Sequence, residues 1–87
     1  MRLQVRVIAS PLLHPRVGFV VPKYNRTAVE RNRLKRRLRE IVRTELLAQI
    51  PAVDLIIRAK PSAYSASFAV LVHDLTRIST EVSAEFS

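Results

Sequence analysis

Between Lys23 and Arg43 the chain places nine basic residues, Lys23, Arg26, Arg31, Arg33, Lys35, Arg36, Arg37, Arg39 and Arg43, against only Glu30 and Glu40. That stretch holds a net +7 of the chain's formal +8. Ammonium and guanidinium groups bind anions, and guanidinium forks match the geometry of phosphate. A charge run usually marks nothing more than a solvated face. Helix energetics argue against that reading here. Arg31/Lys35, Arg33/Arg37, Lys35/Arg39 and Arg39/Arg43 are like-charge pairs at i,i+4, each unfavourable by about 0.2–0.5 kcal/mol. Arg31 and Arg33 also fall in the first turns, where the helix macrodipole is already positive. A bound polyanion removes both penalties, which makes the N-terminal half of this segment the candidate binding surface.

At 100° per residue, Arg33, Arg36, Arg37, Arg39 and Arg43 cover the face opposite the apolar stripe, while Arg31 and Lys35 project along the stripe side and should overhang a sheet edge. Arg33 to Arg43 spans about 15 Å, the reach of two or three successive phosphates. Asn32 is the one neutral donor and acceptor within the cluster. It could read a base, a ribose hydroxyl or a metal-bound water, or cap the chain locally, and the spacing leaves these open.

No second constellation competes. The chain has no Cys, which removes disulfides, thiolate nucleophiles and cysteine-ligated zinc and suits the cytoplasm. His14 and His73 have no partner ligands at metal spacing, and Asp54 and Asp74 have no His or Ser in triad order. Neither a catalytic side chain nor a metal or cofactor bound by the protein is therefore expected. No apolar run approaches the roughly 18 residues that span a bilayer, and the aliphatic stripe of the basic segment is needed to cover a sheet, so a membrane partner is not expected. Asn25-Arg26-Thr27 fits the glycosylation sequon by chance.

The elements that must hold the cations follow from periodicity. Arg2 to Ala9 alternates, with Leu3, Val5 and Val7 on one side and Gln4 and Arg6 on the other. Arg16 to Pro22 reads as a second strand, joined to the first as a hairpin through a turn at Ser10–Pro15. Thr27 and Glu30 have capping-box spacing, and Leu34, Leu38, Ile41, Val42 and Leu46 carry the helix for about six turns, until Pro51 forces its end. Val53 to Ala59 is a third strand, apolar enough at Leu55-Ile56-Ile57 to be buried on both faces. From Ser62 or Ser65, the residues Phe68, Leu71, Val72, Leu75 and Ile78 mark a second helix, with Asp74 and Glu81 on its wet side and fraying past Ser83. At 87 residues, 48% hydrophobic and with a single Gly, the chain should form one domain over residues 1–87. The expected fold is an α+β two-layer sandwich, a small mixed sheet in β-β-α-β-α order with its helices on one face.

Arg16-Val17-Gly18-Phe19-Val20-Val21-Pro22-Lys23 and Ala28-Val29-Glu30-Arg31-Asn32-Arg33-Leu34-Lys35-Arg36-Arg37-Leu38-Arg39-Glu40 resemble the bacterial ribonuclease P protein family, whose signature is the Arg-Asn-Arg-x-Lys-Arg-x-x-Arg core. Asp54 to Pro61 and Phe68 to Leu75 look like its next strand and last helix. The resemblance implies a subunit that binds a catalytic RNA and helps it remove the 5′ leader of precursor tRNA, the chemistry being done by magnesium ions held with the RNA. It assigns Arg31, Asn32, Arg33, Lys35, Arg36 and Arg39, with Lys23 beside them, to the surface meeting the catalytic RNA. It assigns Gln4, Arg6 and Val20 to a cleft for the single-stranded leader, in which Arg6 would meet phosphates. It also implies a left-handed β-α-β crossover, where the pattern alone suggests the common right-handed one.

The sequence departs from the family in two places. The helix with stacking aromatics that walls the cleft does not precede the first strand, so either the true start lies upstream of Met1 or leader binding is weakened. The usual Gly before the motif is replaced within Tyr24-Asn25-Arg26. The rival reading, a ribosomal-type or other nucleic-acid-binding module, is permitted by the charge pattern and separated from the first by the motif.

Overall fold

The structure is a computed structural model that describes residues 2–9 and 13–86. Three strands, β1 (Leu3–Ala9), β2 (Arg16–Val20) and β3 (Val53–Ala59), form one sheet in the order β1-β3-β2. Helices α1 (Ala28–Ile41) and α2 (Phe68–Phe86) complete the fold. The expected β1–β2 hairpin is not formed. β3 lies between them, antiparallel to β1 with Leu3 opposite Ala59 and parallel to β2 with Val17 opposite Leu55. The physical reason is burial: Val53, Leu55, Ile57 and Ala59 are each at most 1% exposed, so the most completely buried strand takes the centre. Of the turn read at Ser10–Pro15, residues 10–12 lie outside the described residues.

One sheet face and both helices enclose the core. Leu34, Leu38 and Ile41 of α1 and Leu71, Leu75, Ile78 and Val82 of α2 meet Leu3, Leu55 and Ile57. Burying each such aliphatic side chain stabilises the fold by about 1.5–3 kcal/mol. The other face is open. β3 is therefore not buried on both faces: it alternates, and Ile56 is 39% exposed between Asp54 and Arg58. β2 ends at Val20, before Pro22, which has no N–H for a ladder.

Thr27 caps α1 in a complete capping box: its hydroxyl accepts from the Glu30 N–H at 3.1 Å, and the Glu30 carboxylate accepts from the Thr27 N–H at 3.0 Å. The α-helix does not run on to Pro51. After Ile41 it widens into a π-helical segment, Val42–Leu46, closed by the Leu47 N–H on the Val42 carbonyl at 3.0 Å. The Thr44 hydroxyl bonds back to the Glu40 carbonyl at 2.9 Å, a contact that loosens a regular helix. Leu46 and Ile50 remain buried through this change.

α2 begins at Phe68, later than Ser62 or Ser65, because Pro61–Ser65 forms a 3₁₀ turn and the Ser67 hydroxyl accepts from the Val70 N–H to start the helix. It continues through Phe86 with no end at Ser83. Glu81 is exposed as expected, but Asp74 is not on the wet side. It is 7% exposed, and an Arg2 guanidinium N–H donates to its carboxylate at 3.2 Å.

Candidate nucleic-acid interface

The cations of α1 divide around the helix. Arg31 and Lys35 lie toward the sheet, half-buried as the helical geometry requires, and the Arg31 Nε–H donates to the Val21 carbonyl at 2.7 Å. Lys35 and Arg39 line a groove of about 530 Å³ with Arg43, Val42 and Leu47, opposite residues Pro15 to Phe19 along the outer side of β2. Asn32, Arg33, Arg36, Arg39 and Arg43 are exposed. Arg37 is half-buried and turns the other way, into a small pocket of about 120 Å³ shared with Arg26, Arg33 and Tyr64. Arg33 to Arg43 therefore do not form one flat outer face. Asn32 and Arg36 stand on a crest, with Lys35, Arg39 and Arg43 on one flank and Arg33 and Arg37 on the other.

Only Glu40 relieves the crowding by a close ion pair among these residues. Arg43 donates to it through Nη2 at 2.6 Å and Nε at 3.3 Å. That bond and the adjacent positive charge hold the Glu40 carboxyl below its ordinary value and raise Arg43 in turn. Arg33, Arg36 and Arg39 stay exposed and can meet anions along about 9 Å of helix.

The loop before the helix is built tightly. Lys23 to Arg26 is a turn closed by the Arg26 N–H on the Lys23 carbonyl at 2.8 Å. Tyr24 and Asn25 have φ of 48° and 66°, both left-handed, which is the signature of a type I′ turn. Asn accepts that region readily and Tyr less so, and the position that would favour Gly is instead held by side chains. Lys23 is exposed at the turn's start, next to the helix N-terminus. The Tyr24 hydroxyl donates to the Ala59 carbonyl at 3.1 Å, the Tyr64 hydroxyl donates to the Pro22 carbonyl at 2.6 Å, and the two rings meet edge to face. Burial raises the Tyr64 phenol above its usual value, against the lowering pull of Arg31 and Arg26.

On the open sheet face, Gln4, Arg6 and Val20 come together in a cleft of about 700 Å³. The register explains it: Gln4 and Val20 both stand beside Arg58, and Arg6 and Gly18 both stand beside Ile56. Gly18 leaves the row open, since a Cβ there would sit 3.2 Å from Ile56 Cδ1. Arg58 and Lys60 add two cations to this cleft, and Ile56 adds an apolar floor. The apolar run Leu55-Ile56-Ile57 hides this face in the sequence, while the alternation of Asp54, Ile56 and Arg58 with Val53, Leu55, Ile57 and Ala59 is the signal that reveals it. Arg26 and Tyr64 meet across 38 residues, so no local signal pairs them. Among the described residues no group of three or more His, Cys, Asp or Glu side chains is placed to hold a metal ion, and no helix is long and apolar enough to cross a membrane.

Comparison with known proteins points the same way as the geometry. The family model for Ribonuclease P matches residues 2–83. A ribonuclease P protein component of Bartonella quintana is 48% identical over 77 residues, covering 87% of this chain and 57% of that protein. One from Thermus oshimai is 48% identical over 73 residues, covering 84% of this chain and 45% of its own length. The chain thus spans about half the length of these relatives. Among solved structures, the RNase P protein of Staphylococcus aureus superposes with a TM-score of 0.80 at 25% identity, covering 94% of this chain and 77% of that one.

Proposed function

Because the chain belongs to the ribonuclease P protein family, we propose that it serves as the protein subunit of ribonuclease P, docking on the catalytic RNA and on precursor tRNA to promote removal of the 5′ leader. The observation that carries this is the crest and two flanks of α1, where a family match coincides with a row of exposed cations that the helix tolerates at its own expense. Arg31, Asn32, Arg33, Lys35, Arg36, Arg37, Arg39 and Arg43, with Lys23 at the preceding turn, form the RNA-docking surface in this reading. Arg31 both anchors the helix and adds charge to its sheet-side flank.

The cleft over Gln4, Arg6 and Val20 takes the leader: Arg6, Arg58 and Lys60 meet phosphates while Val20 and Ile56 lie against the strand's bases and sugars. No side chain of this chain breaks the phosphodiester bond. Magnesium ions held with the RNA supply that chemistry, and the protein contributes charge neutralisation and placement. The enzyme acts as a ribonucleoprotein endonuclease in tRNA maturation, and its place of work is the cytoplasm. Residues 1–87 act as a single RNA-binding domain.

Binding to the cognate catalytic RNA tests the docking surface. Arg36→Ala and Arg39→Ala should each weaken binding and lower the slope of log K against log salt by about one, while thermal stability stays level or rises slightly. Unchanged affinity with an intact fold would overturn the reading.

A further inference from the structure

Tyr64 lies on the 3₁₀ turn Pro61–Ser65, remote in sequence from α1, yet three contacts tie it to the loop that launches the helix. Its hydroxyl holds the Pro22 carbonyl at 2.6 Å, its ring receives Tyr24 edge-on with centroids 6.4 Å apart, and the Arg26 guanidinium carbon sits 5.3 Å from its centroid. We infer that Tyr64 is a positioning residue of the RNA-docking surface, holding Arg26 so that Arg26, Arg33 and Arg37 close around a single RNA phosphate. This rests on the docking role proposed above.

Three features lead to it. The first is the left-handed backbone at Tyr24 and Asn25, which a free loop would relax. The Tyr24 hydroxyl on the Ala59 carbonyl and the Tyr64 hydroxyl on the Pro22 carbonyl fasten that turn, and so fix where Arg26 leaves the backbone. The second is the ring under Arg26. A guanidinium lying over an aromatic ring is held through its face while its edge N–H groups stay free to donate. The entropy of ordering a long side chain is then largely spent before the anion arrives.

The third is the pocket itself. Arg26, Arg33 and Arg37 surround about 120 Å³ with Tyr64, Leu34 and Glu30, room for one phosphate and too little for a nucleotide. The one carboxylate present, Glu30, is already engaged by the Thr27 N–H in the capping box, and three guanidinium groups outweigh it. The phosphate chain thus passes from the crest at Arg36 down the flank facing Tyr64, so that the loop before the helix shares in docking.

The test measures affinity of the full chain for the cognate catalytic RNA across a salt series, with Arg36→Ala as the reference. Arg26→Ala should weaken binding several-fold and reduce the salt slope by about one. Tyr64→Leu should reproduce that loss, Tyr64→Phe, which keeps the ring under Arg26 but gives up the bond to the Pro22 carbonyl, should recover part of it, and Tyr64→Leu should add nothing in an Arg26→Ala background. If Arg26→Ala changes neither affinity nor slope while Arg36→Ala weakens binding, the inference fails and the docking role stands. If Tyr64→Leu weakens binding equally with and without Arg26, Tyr64 does not act through Arg26. If Arg36→Ala is also without effect, docking itself fails and takes this inference with it. Should Tyr64→Leu not fold, the Arg26 Nε–H resonance decides. A ring-current shift in the free protein that moves on RNA binding supports the inference, and an unshifted resonance overturns it.

Discussion

Arg31 donates from Nε to the carbonyl of Val21 at 2.7 Å, so an arginine of the proposed RNA-docking motif also fastens α1 to the chain leaving β2. Motif membership and exposure are therefore different properties. Arg36 stands on the crest with its side chain in water, while Arg31 spends part of its bonding capacity on the fold.

That distinction predicts opposite stability effects. Arg31→Met keeps the aliphatic stem but leaves the Val21 carbonyl without this donor, and should lower the free energy of unfolding by about 1–2 kcal/mol in a urea titration. Arg36→Ala should leave it unchanged or slightly raised, since it replaces a repelled cation with the best helix former. RNA affinity should fall in both.

The Glu40–Arg43 pair predicts a pH effect with a definite sign. Arg43 holds the folded-state Glu40 carboxyl below its ordinary 4.5, so the pair's contribution is fully present above that value and is lost as pH falls through the lowered one. Thermal melts of wild type and Glu40→Gln should therefore differ near neutrality and converge in acid. At neutral pH, Glu40→Gln releases Arg43 and should tighten RNA binding at low salt, with the gain disappearing as salt rises.

The open sheet face predicts selectivity between two RNA partners. Arg6→Ala and Arg58→Ala should weaken binding of precursor tRNA carrying a 5′ leader, while binding of the catalytic RNA alone and of leaderless tRNA remains as in wild type. Gel-shift titrations with the three RNAs read this directly. Equal loss on all three would make the cleft a general electrostatic surface with no leader preference.

Local signals carried much of this fold. The capping box at Thr27 and Glu30, the stripe from Leu34 to Leu46 and the sheetward turn of Arg31 and Lys35 are all set by residues within a few positions of one another. Period-two alternation likewise tells which side of β1 faces the core. It does not encode which strand lies beside which, so the insertion of β3 between β1 and β2 was out of reach. Asp74 looked like a wet-side residue because its partner, Arg2, stands 72 positions away. Tyr64 gave no sign of meeting Pro22 for the same reason. The family motif identified the crest of α1, whereas the split of its cations into two flanks depends on what packs at each side: β2 for Lys35 and Arg39, the Tyr64 turn for Arg33 and Arg37.

In the proposed role this chain completes a ribonuclease P by docking α1 on the catalytic RNA. The most direct measurement is reconstitution: cleavage of precursor tRNA by the cognate catalytic RNA at low magnesium, with and without the chain. The wild-type chain should accelerate release of the 5′ leader, and Arg36→Ala/Arg39→Ala, although folded, should do so only weakly. A folded wild-type chain that leaves the RNA's rate unchanged would contradict it.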